Sequence, residues 1–155
     1  MKAIDRNGHE LWSRKWALYP ERLDLDNQGH IYLQGYFQGT ANFDPGPGTH
    51  VLNTKDSRAR EICVASYAST GAFRWAIGWE ALEGGNCSVG FDIDMRGNCY
   101  LARAFPKPFD IDPGPGVDIC LRSNWTTQPY EHYPITNDYF LMMLPSDGNY
   151  RKAGR

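Results

Sequence analysis

The sequence lacks several features that would assign the chain to a common class of protein. No apolar run approaches the roughly 20 residues that a membrane-spanning helix needs, and the start, MKAIDRNGHELW, has no apolar signal-peptide segment. Lysine and arginine form no stripe and the net charge is −2, whereas nucleic-acid-binding domains are usually basic. We therefore predict no membrane insertion, no signal peptide in this chain and no nucleic-acid partner.

Motifs of catalysis and of metal binding are also missing. The sequence contains no CxxC or HxxxH spacing for zinc. It contains no G-x-S-x-G, no phosphate-binding glycine loop and no H-E-x-x-H. The four histidines are scattered, and only His132 lies among other candidate binding residues. We predict no enzymatic activity, and leave open a fragment of an enzyme that assembles distant carboxylates in space.

What the sequence does contain is a repeated segment. Residues 24–52 and 92–120 align without a gap at a shift of 68, and 11 of the 29 aligned positions are identical, including all of DPGPG. Beyond DPGPG the shift becomes 77, so the second copy has nine extra residues near 124–136. A fixed period of this kind indicates units that bury their apolar faces by stacking on neighbours.

The repeat divides the chain into three segments. Residues 24–91 are the first unit, and residues 92–155 are the second, with the insertion NWTTQPYEHYPIT as a protruding loop. Residues 1–23 contain GHELWSRKW, which shares a glycine and two tryptophans with GAFRWAIGW at 71–79. We therefore interpret residues 1–23 as a fourth-strand segment that completes a neighbouring unit, followed by a connector.

Each unit is predicted to form four short antiparallel strands. In the first unit these strands are placed at about 31–37, 40–43, 61–68 and 73–79, because polar and apolar residues alternate there between glycine-containing turns. Trp12, Trp16, Trp75 and Trp79 recur at matching positions, which favours packing between units. Four short strands per repeat are typical of a β-propeller blade.

The cysteines are interpreted with the help of the repeat. Cys99 and Cys120 stand where the first unit has Ile31 and Leu52, which favours buried thiols that replace aliphatic side chains. A disulfide is the alternative, with Cys99 and Cys120 as its preferred pair.

The order D-x-D-x-x-G-x-x-Y-L, then F-D-P-G-P-G, then an apolar strand, then S-x-G before F-x-W-A resembles a family. It is similar to bacterial β-propeller-type repeats that are related to the seven-bladed β-propeller repeats of secreted and surface proteins. The resemblance implies an extracellular or cell-surface location. The second unit departs from it with IDPGPG, the insertion and two additional prolines. The family resemblance predicts the fold of the chain and says little about its function.

Two such blades do not close a propeller, which usually needs about four to eight. We expect a ring or array completed by homo-oligomerisation or by further repeats of a longer chain, with a filament as the outcome if the interface does not close. The partner is thus another copy or a neighbouring repeat, and blade edges are the predicted contact.

The D-x-D-x-x-G segments suggest calcium, because similar spacing places oxygen ligands around calcium in other loops. The candidate ligands are Asp24, Asp26, Asp92 and Asp94. Against calcium, Arg96 occupies a ligand position in the second copy. The alternative is an Asp–Gly turn whose carboxylate bonds backbone amides. We predict no cofactor, with calcium as the exception left open.

Two further features are candidate binding sites. The DPGPG loops present Asp44 and Asp112 on a stiff backbone, either as a strand connection or as ligands for calcium or sugar hydroxyls. The insertion supplies an aromatic cluster suited to sugar rings or protein partners, namely Trp125, Tyr130, His132 and Tyr133. The sequence predicts a non-catalytic, self-associating scaffold or surface interaction protein, and the alternative is a carbohydrate- or calcium-dependent adhesive module.

Overall fold

The computed structural model of the protein describes residues 1–80, 89–105, 108–121 and 138–151. Within these residues all regular secondary structure is strand, so no helix there is long and apolar enough to cross a membrane. The prediction of an all-β fold is confirmed. The strands are β1 (Lys2–Ile4), β2 (Glu10–Ser13), β3 (Tyr19–Leu25), β4 (Ile31–Gln38), β5 (Thr40–Asn42), β6 (Val51–Asn53), β7 (Arg60–Tyr67), β8 (Phe73–Trp79), β9 (Val89–Ile93), β10 (Cys99–Phe105), β11 (Phe109–Asp110), β12 (Ile119–Cys120) and β13 (Asp138–Leu144).

The strands form several small antiparallel sheets. The largest has four strands in the order β3-β4-β7-β8 and is named the central sheet. A three-stranded sheet in the order β13-β10-β9 is named the C-terminal sheet, and β1 and β2 form the N-terminal hairpin. The strands that flank each DPGPG segment, β5-β6 and β11-β12, form two further hairpins. These described sheets do not close into a ring.

The composition of the four-stranded sheet differs from the prediction. The predicted strands at 31–37, 61–68 and 73–79 lie in it as β4, β7 and β8, but the predicted strand at 40–43 belongs to the separate β5-β6 hairpin. The chain leaves the sheet at Gly39, where φ is 67° and the amide bonds Thr54 Oγ1. The fourth partner is β3, which begins at Tyr19 and includes the predicted boundary at Asp24.

Strands β4 and β7 of the central sheet are buried on both faces, because side chains alternate along them and each face packs against another part of the chain. One face contributes Leu33, Phe37 and Ala65 to a cluster with the N-terminal segment, against which Trp12 and Trp16 pack. The opposite face forms a second cluster with the C-terminal sheet, whose members are Tyr32, Ile62, Val64, Trp79, Cys99, Leu101, Met142 and Leu144. The four tryptophans Trp12, Trp16, Trp75 and Trp79 therefore pack in the two core clusters, and their role in packing between propeller-type units stays a prediction.

The cysteines that the structure describes carry free thiols. Cys63 and Cys99 are buried, and Cys120 is partly buried. The alternative disulfide between Cys99 and Cys120 is absent, and both residues sit on strands among apolar neighbours, as expected for replacements of Ile and Leu. Cys87 lies outside the described residues.

Candidate functional site

The D-x-D turns use their second aspartate to hold their own backbone. Asp26 Oδ1 accepts hydrogen bonds from the backbone amides of Gln28 and His30, both at 2.9 Å. Asp94 Oδ1 accepts the same two bonds, from Arg96 and Asn98, also at 2.9 Å. This is the Asp–Gly turn that was the predicted alternative to a calcium site.

The other oxygen of each carboxylate is also engaged. Asp26 Oδ2 lies 2.7 Å from His30 Nδ1 and accepts a bond from the Tyr32 hydroxyl at 3.1 Å. In the second unit, Asp94 Oδ2 accepts bonds from the Asn98 amide at 2.7 Å and from the Tyr100 hydroxyl at 3.3 Å. Burial opposes ionisation of Asp26, but the bonds from His30, Gln28 and Tyr32 outweigh it and hold its pKa below the ordinary value.

The first aspartate of each turn bonds the next residue. Asp24 accepts from the Leu25 amide at 2.7 Å, and Asp92 accepts from the Ile93 amide at 2.9 Å. In the described part of the chain, no group of three or more His, Cys, Asp or Glu side chains is arranged to hold a metal ion. Calcium at these turns stays a prediction.

The two DPGPG loops have the same backbone hydrogen bonds. Asp44 Oδ1 accepts the Gly46 amide at 2.7 Å, and Asp112 Oδ1 accepts the Gly114 amide at 2.7 Å. The residue two positions before each aspartate closes the base of the loop. It is Asn42 in the first unit and Asp110 in the second, and its Oδ1 accepts two backbone amides across the loop.

The last glycine of each motif is required by a close approach. A Cβ on Gly48 would overlap Asp44 Oδ2, and a Cβ on Gly116 would overlap Asp112 Oδ2 in the same way. Any side chain at these positions would push the carboxylate out of the loop. Asp44 and Asp112 thus hold the loop together, as the strand-connection interpretation predicts.

The two loops differ in what lies beside them. In the first unit the His50 ring contacts Phe73, with ring centroids 4.9 Å apart, and its Nε2 lies 2.9 Å from the Ala76 carbonyl oxygen. The repeat-equivalent pair in the second unit is Asp118 and Tyr150, whose hydroxyl donates to Asp118 Oδ2 at 2.6 Å. The same position therefore holds an aromatic contact in one unit and a hydroxyl–carboxylate bond in the other.

A cavity of about 320 Å³ opens beside the second loop. It is lined by Ile77 of the central sheet, by the loop residues Asp112, Pro113, Gly114 and Pro115, and by Gly148, Asn149 and Tyr150. Burial raises the pKa of the Tyr150 hydroxyl, and the bond to Asp118 and the charges of Asp112 and Asp110 act in the same direction. The cavity therefore combines an apolar wall with carboxylate, amide and phenol groups.

The predicted aromatic cluster of the insertion, Trp125, Tyr130, His132 and Tyr133, lies outside the described residues. Its role as a binding site stays a prediction.

The sheets are joined by a contact that occurs twice. The indole Nε1 of Trp12 donates to the Ser69 carbonyl oxygen at 2.9 Å, and Trp75 Nε1 donates to the Ser146 carbonyl oxygen at the same distance. Each tryptophan lies against the glycine of the next unit's turn, Gly71 or Gly148. Packing of these tryptophans was predicted from the sequence, but their acceptors were missed, although the recurring S-x-G turns were a visible signal.

A polar network at the same junction was also missed. Arg74 Nη1 donates to the Tyr32 hydroxyl at 3.1 Å and to Ser66 Oγ at 2.8 Å, and Nη2 donates to the Ser146 carbonyl oxygen at 3.2 Å. Tyr32 in turn donates to Asp26 at 3.1 Å. The network links the first D-x-D turn to the turn after β13. No motif predicts it, because its members come from four separate segments.

Comparisons with protein-family models, with curated proteins and with solved structures find no match for this chain. The functional interpretation therefore depends on the residues and their geometry.

Proposed function

We propose that the chain is a non-catalytic repeat scaffold, made of propeller-type blades, that associates with further units of its own kind. The observation that carries this proposal is the repeated contact from Trp12 to Ser69 and from Trp75 to Ser146, each 2.9 Å long. Repeat proteins extend by making the same contact between each pair of successive units, and this contact is made twice at matching positions.

The blade interpretation is supported by the position of the central sheet. Its four antiparallel strands lie between the N-terminal segment on one face and the C-terminal sheet on the other. In this interpretation the C-terminal sheet is a second blade and the N-terminal hairpin is part of a preceding one. Because the chain's own units meet through faces, we favour faces over strand edges as the surfaces of association. A location at the cell surface rests on the family resemblance alone.

The test is the mass of the full chain in solution, measured by light scattering across a concentration series. Association into a discrete oligomer or an ordered filament supports the proposal. A mass of 17.6 kDa at every concentration would count against it. Circular dichroism on the same samples ensures that the species measured is folded, so that aggregation of unfolded chain is not counted as assembly.

A carbohydrate-binding module is a second candidate, which the cavity at the second DPGPG loop favours. Asp112 and the Asn149 side chain supply polar groups of the type that bind sugar hydroxyls, and Ile77 supplies an apolar wall. A glycan array, probed with and without calcium, tests this function. Binding that is lost in Asn149→Ala but kept in Asn53→Ala, an asparagine outside the cavity, supports it. An array without signal in both conditions contradicts it.

A further inference from the structure

The C-terminal sheet has an apolar outer face that no described segment buries. Side chains alternate along β13, so that Met142 and Leu144 point into the cluster shared with the central sheet. Tyr139, Leu141 and Met143 point the other way and are 75%, 73% and 48% exposed. Three large apolar side chains in a row on one strand face are unusual on a surface that meets only water. These three residues are named the outer face.

The repeat shows what the outer face corresponds to. The shift of 77 places Tyr139 at the position of Ile62, and Leu141 at the position of Val64. Ile62 and Val64 are 1% and 0% exposed, because their face of the central sheet packs against the C-terminal sheet. The outer face is therefore the repeat equivalent of the face of the central sheet that carries Ile62 and Val64. In the first unit that face is a buried contact between two sheets.

The N-terminal hairpin, which packs on the other face of the central sheet, offers only a partly matching surface, because it exposes Ile4 and Leu11 but also carries two charged residues. The shift of 63 places Lys2 and Glu10 at the positions of Ala65 and Phe73, which pack into the first core cluster. Lys2 Nζ and Glu10 Oε2 instead form an exposed ion pair 2.7 Å long. Head-to-tail stacking would place this pair against Tyr139 and Leu141 and remove it from water. The desolvation of the two charges costs more free energy than their mutual attraction provides.

We infer that the outer face docks on the same outer face of a second copy, related by a two-fold axis. An isologous contact of this kind is closed, so assembly through it ends at a dimer and leaves the Lys2–Glu10 ion pair of each N-terminal hairpin outside the contact. A contact centred on β13 also places Asp92 at the rim, because β9 is the strand of this sheet farthest from β13. This inference rests on the proposed function and names its partner and its surface.

The experiment is light scattering of the full chain and of two charge variants across the same concentration series. The wild-type chain is expected to approach twice 17.6 kDa. Leu141→Glu is expected to raise the dimer dissociation constant at least about tenfold, as a buried charge at the centre of an interface does. Leu11→Glu is the matched control. Leu11 is 65% exposed on the N-terminal hairpin, and its substitution is expected to leave the dimer unchanged.

The possible results separate the inference from the proposed function. An oligomer that persists in Leu141→Glu, that Leu11→Glu disrupts, or that grows beyond a dimer overturns the inference and leaves self-association standing. A wild-type monomer at every concentration overturns both. If Leu141→Glu does not fold by circular dichroism, Met143→Lys takes its place, because Met143 lies on the same outer face and is about half exposed.

Discussion

Trp75 and Ser146 join the central sheet to the turn after β13 through one hydrogen bond, from the indole Nε1 to the backbone carbonyl oxygen at 2.9 Å. The ring of Trp75 also lies against Gly148, two residues further along the same turn. Trp12, Ser69 and Gly71 repeat this arrangement between the N-terminal hairpin and the central sheet. The contact needs an indole ring and a glycine in the turn, because a Cβ at the glycine position would meet the ring.

The first prediction concerns the glycines of these turns. Gly148 has φ of 74° and Gly8 has φ of 87°, so alanine at either position pays about 1–2 kcal/mol for left-handed backbone. A Cβ on Gly148 would also collide with the Trp75 ring, whereas a Cβ on Gly8 meets nothing within 4 Å. We expect Gly148→Ala to lower the free energy of unfolding by about 1–3 kcal/mol more than Gly8→Ala does.

Urea denaturation followed by tryptophan fluorescence measures both variants. Equal losses for Gly8→Ala and Gly148→Ala would show that the ring does not pack on the turn in solution. Gly71→Ala should fall between the two or near Gly148→Ala, because its Cβ would lie 3.2 Å from the nearest atoms of Trp12.

The second prediction concerns the last glycine of the first DPGPG motif. Gly48→Ala places a methyl group where Asp44 Oδ2 lies, so we expect it to lower the free energy of unfolding by about 1–3 kcal/mol. In an Asp44→Ala background, Gly48→Ala should lower the free energy of unfolding much less, because the carboxylate that the methyl group would meet is absent. A double-mutant cycle of thermal or urea unfolding measures this coupling. Additive effects would mean that the carboxylate and the glycine do not meet.

The repeat made part of this geometry predictable from sequence. The identity of DPGPG in both units anticipated two loops with the same hydrogen bonds, and both have an aspartate–glycine bond of 2.7 Å. Three of the four predicted strands also lie in the central sheet. By contrast, β3 was missed, because it is an exposed strand that contains Pro20 and shows no clear alternation.

Partner choice across units was not predictable. The Tyr67 hydroxyl donates to the Phe43 carbonyl oxygen at 3.1 Å in the first unit. The second unit has Leu144 at the equivalent position, and the equivalent carbonyl, that of Ile111, accepts from Trp79 Nε1 at 2.9 Å instead. The sequence shows the change from tyrosine to leucine but not the new donor, because the donor comes from a distant segment. The cavity depends on similar long-range placement, so sequence pointed only to Asp112.

The third prediction concerns acid stability. The pKa of Asp26 is lowered in the folded chain, because bonds from His30, Gln28 and Tyr32 outweigh the cost of burial. The unfolded value is about 3.9, so Asp26 stabilises the fold above that pH, and the contribution is lost as pH falls through the lower folded pKa. Near pH 7 the Asp26 carboxylate is ionised in both the folded and the unfolded chain, so its contribution to the free energy of unfolding should not change with pH there. At pH values below about 4 we expect this contribution to decrease.

Asp26→Asn is the variant for this measurement. It should unfold more easily at neutral pH and show a shallower loss of stability between about pH 4 and pH 2 than the wild-type chain. Asp56→Asn is the control, because Asp56 is exposed and, within the described residues, its carboxylate accepts the Arg58 amide at 2.8 Å. An unchanged acid slope in Asp26→Asn would mean that the carboxylate is not held by its turn.

The fourth prediction concerns the thiols. Burial raises the pKa of Cys63 well above its usual range and that of Cys99 to about 12. Because the thiolate is the reactive form, both thiols should be inert toward a chromogenic disulfide reagent in the folded chain near pH 8. Cys120 is only partly buried, and its pKa is raised by burial and by Asp118 and Asp138, so it should react slowly but without unfolding.

A Cys87→Ser background confines the measurement to these three thiols. We expect one thiol to react in native buffer and three in denaturant, with the two protected thiols at least about 100-fold slower, since opening a core strand costs several kcal/mol. Cys120→Ser in the same background should abolish the native reaction and leave two thiols in denaturant. Native labelling that persists in Cys120→Ser would mean that Cys63 or Cys99 is reached without unfolding. The core cluster that contains the labelled thiol would then be open to solvent, namely the cluster with the N-terminal segment for Cys63 or the cluster with the C-terminal sheet for Cys99.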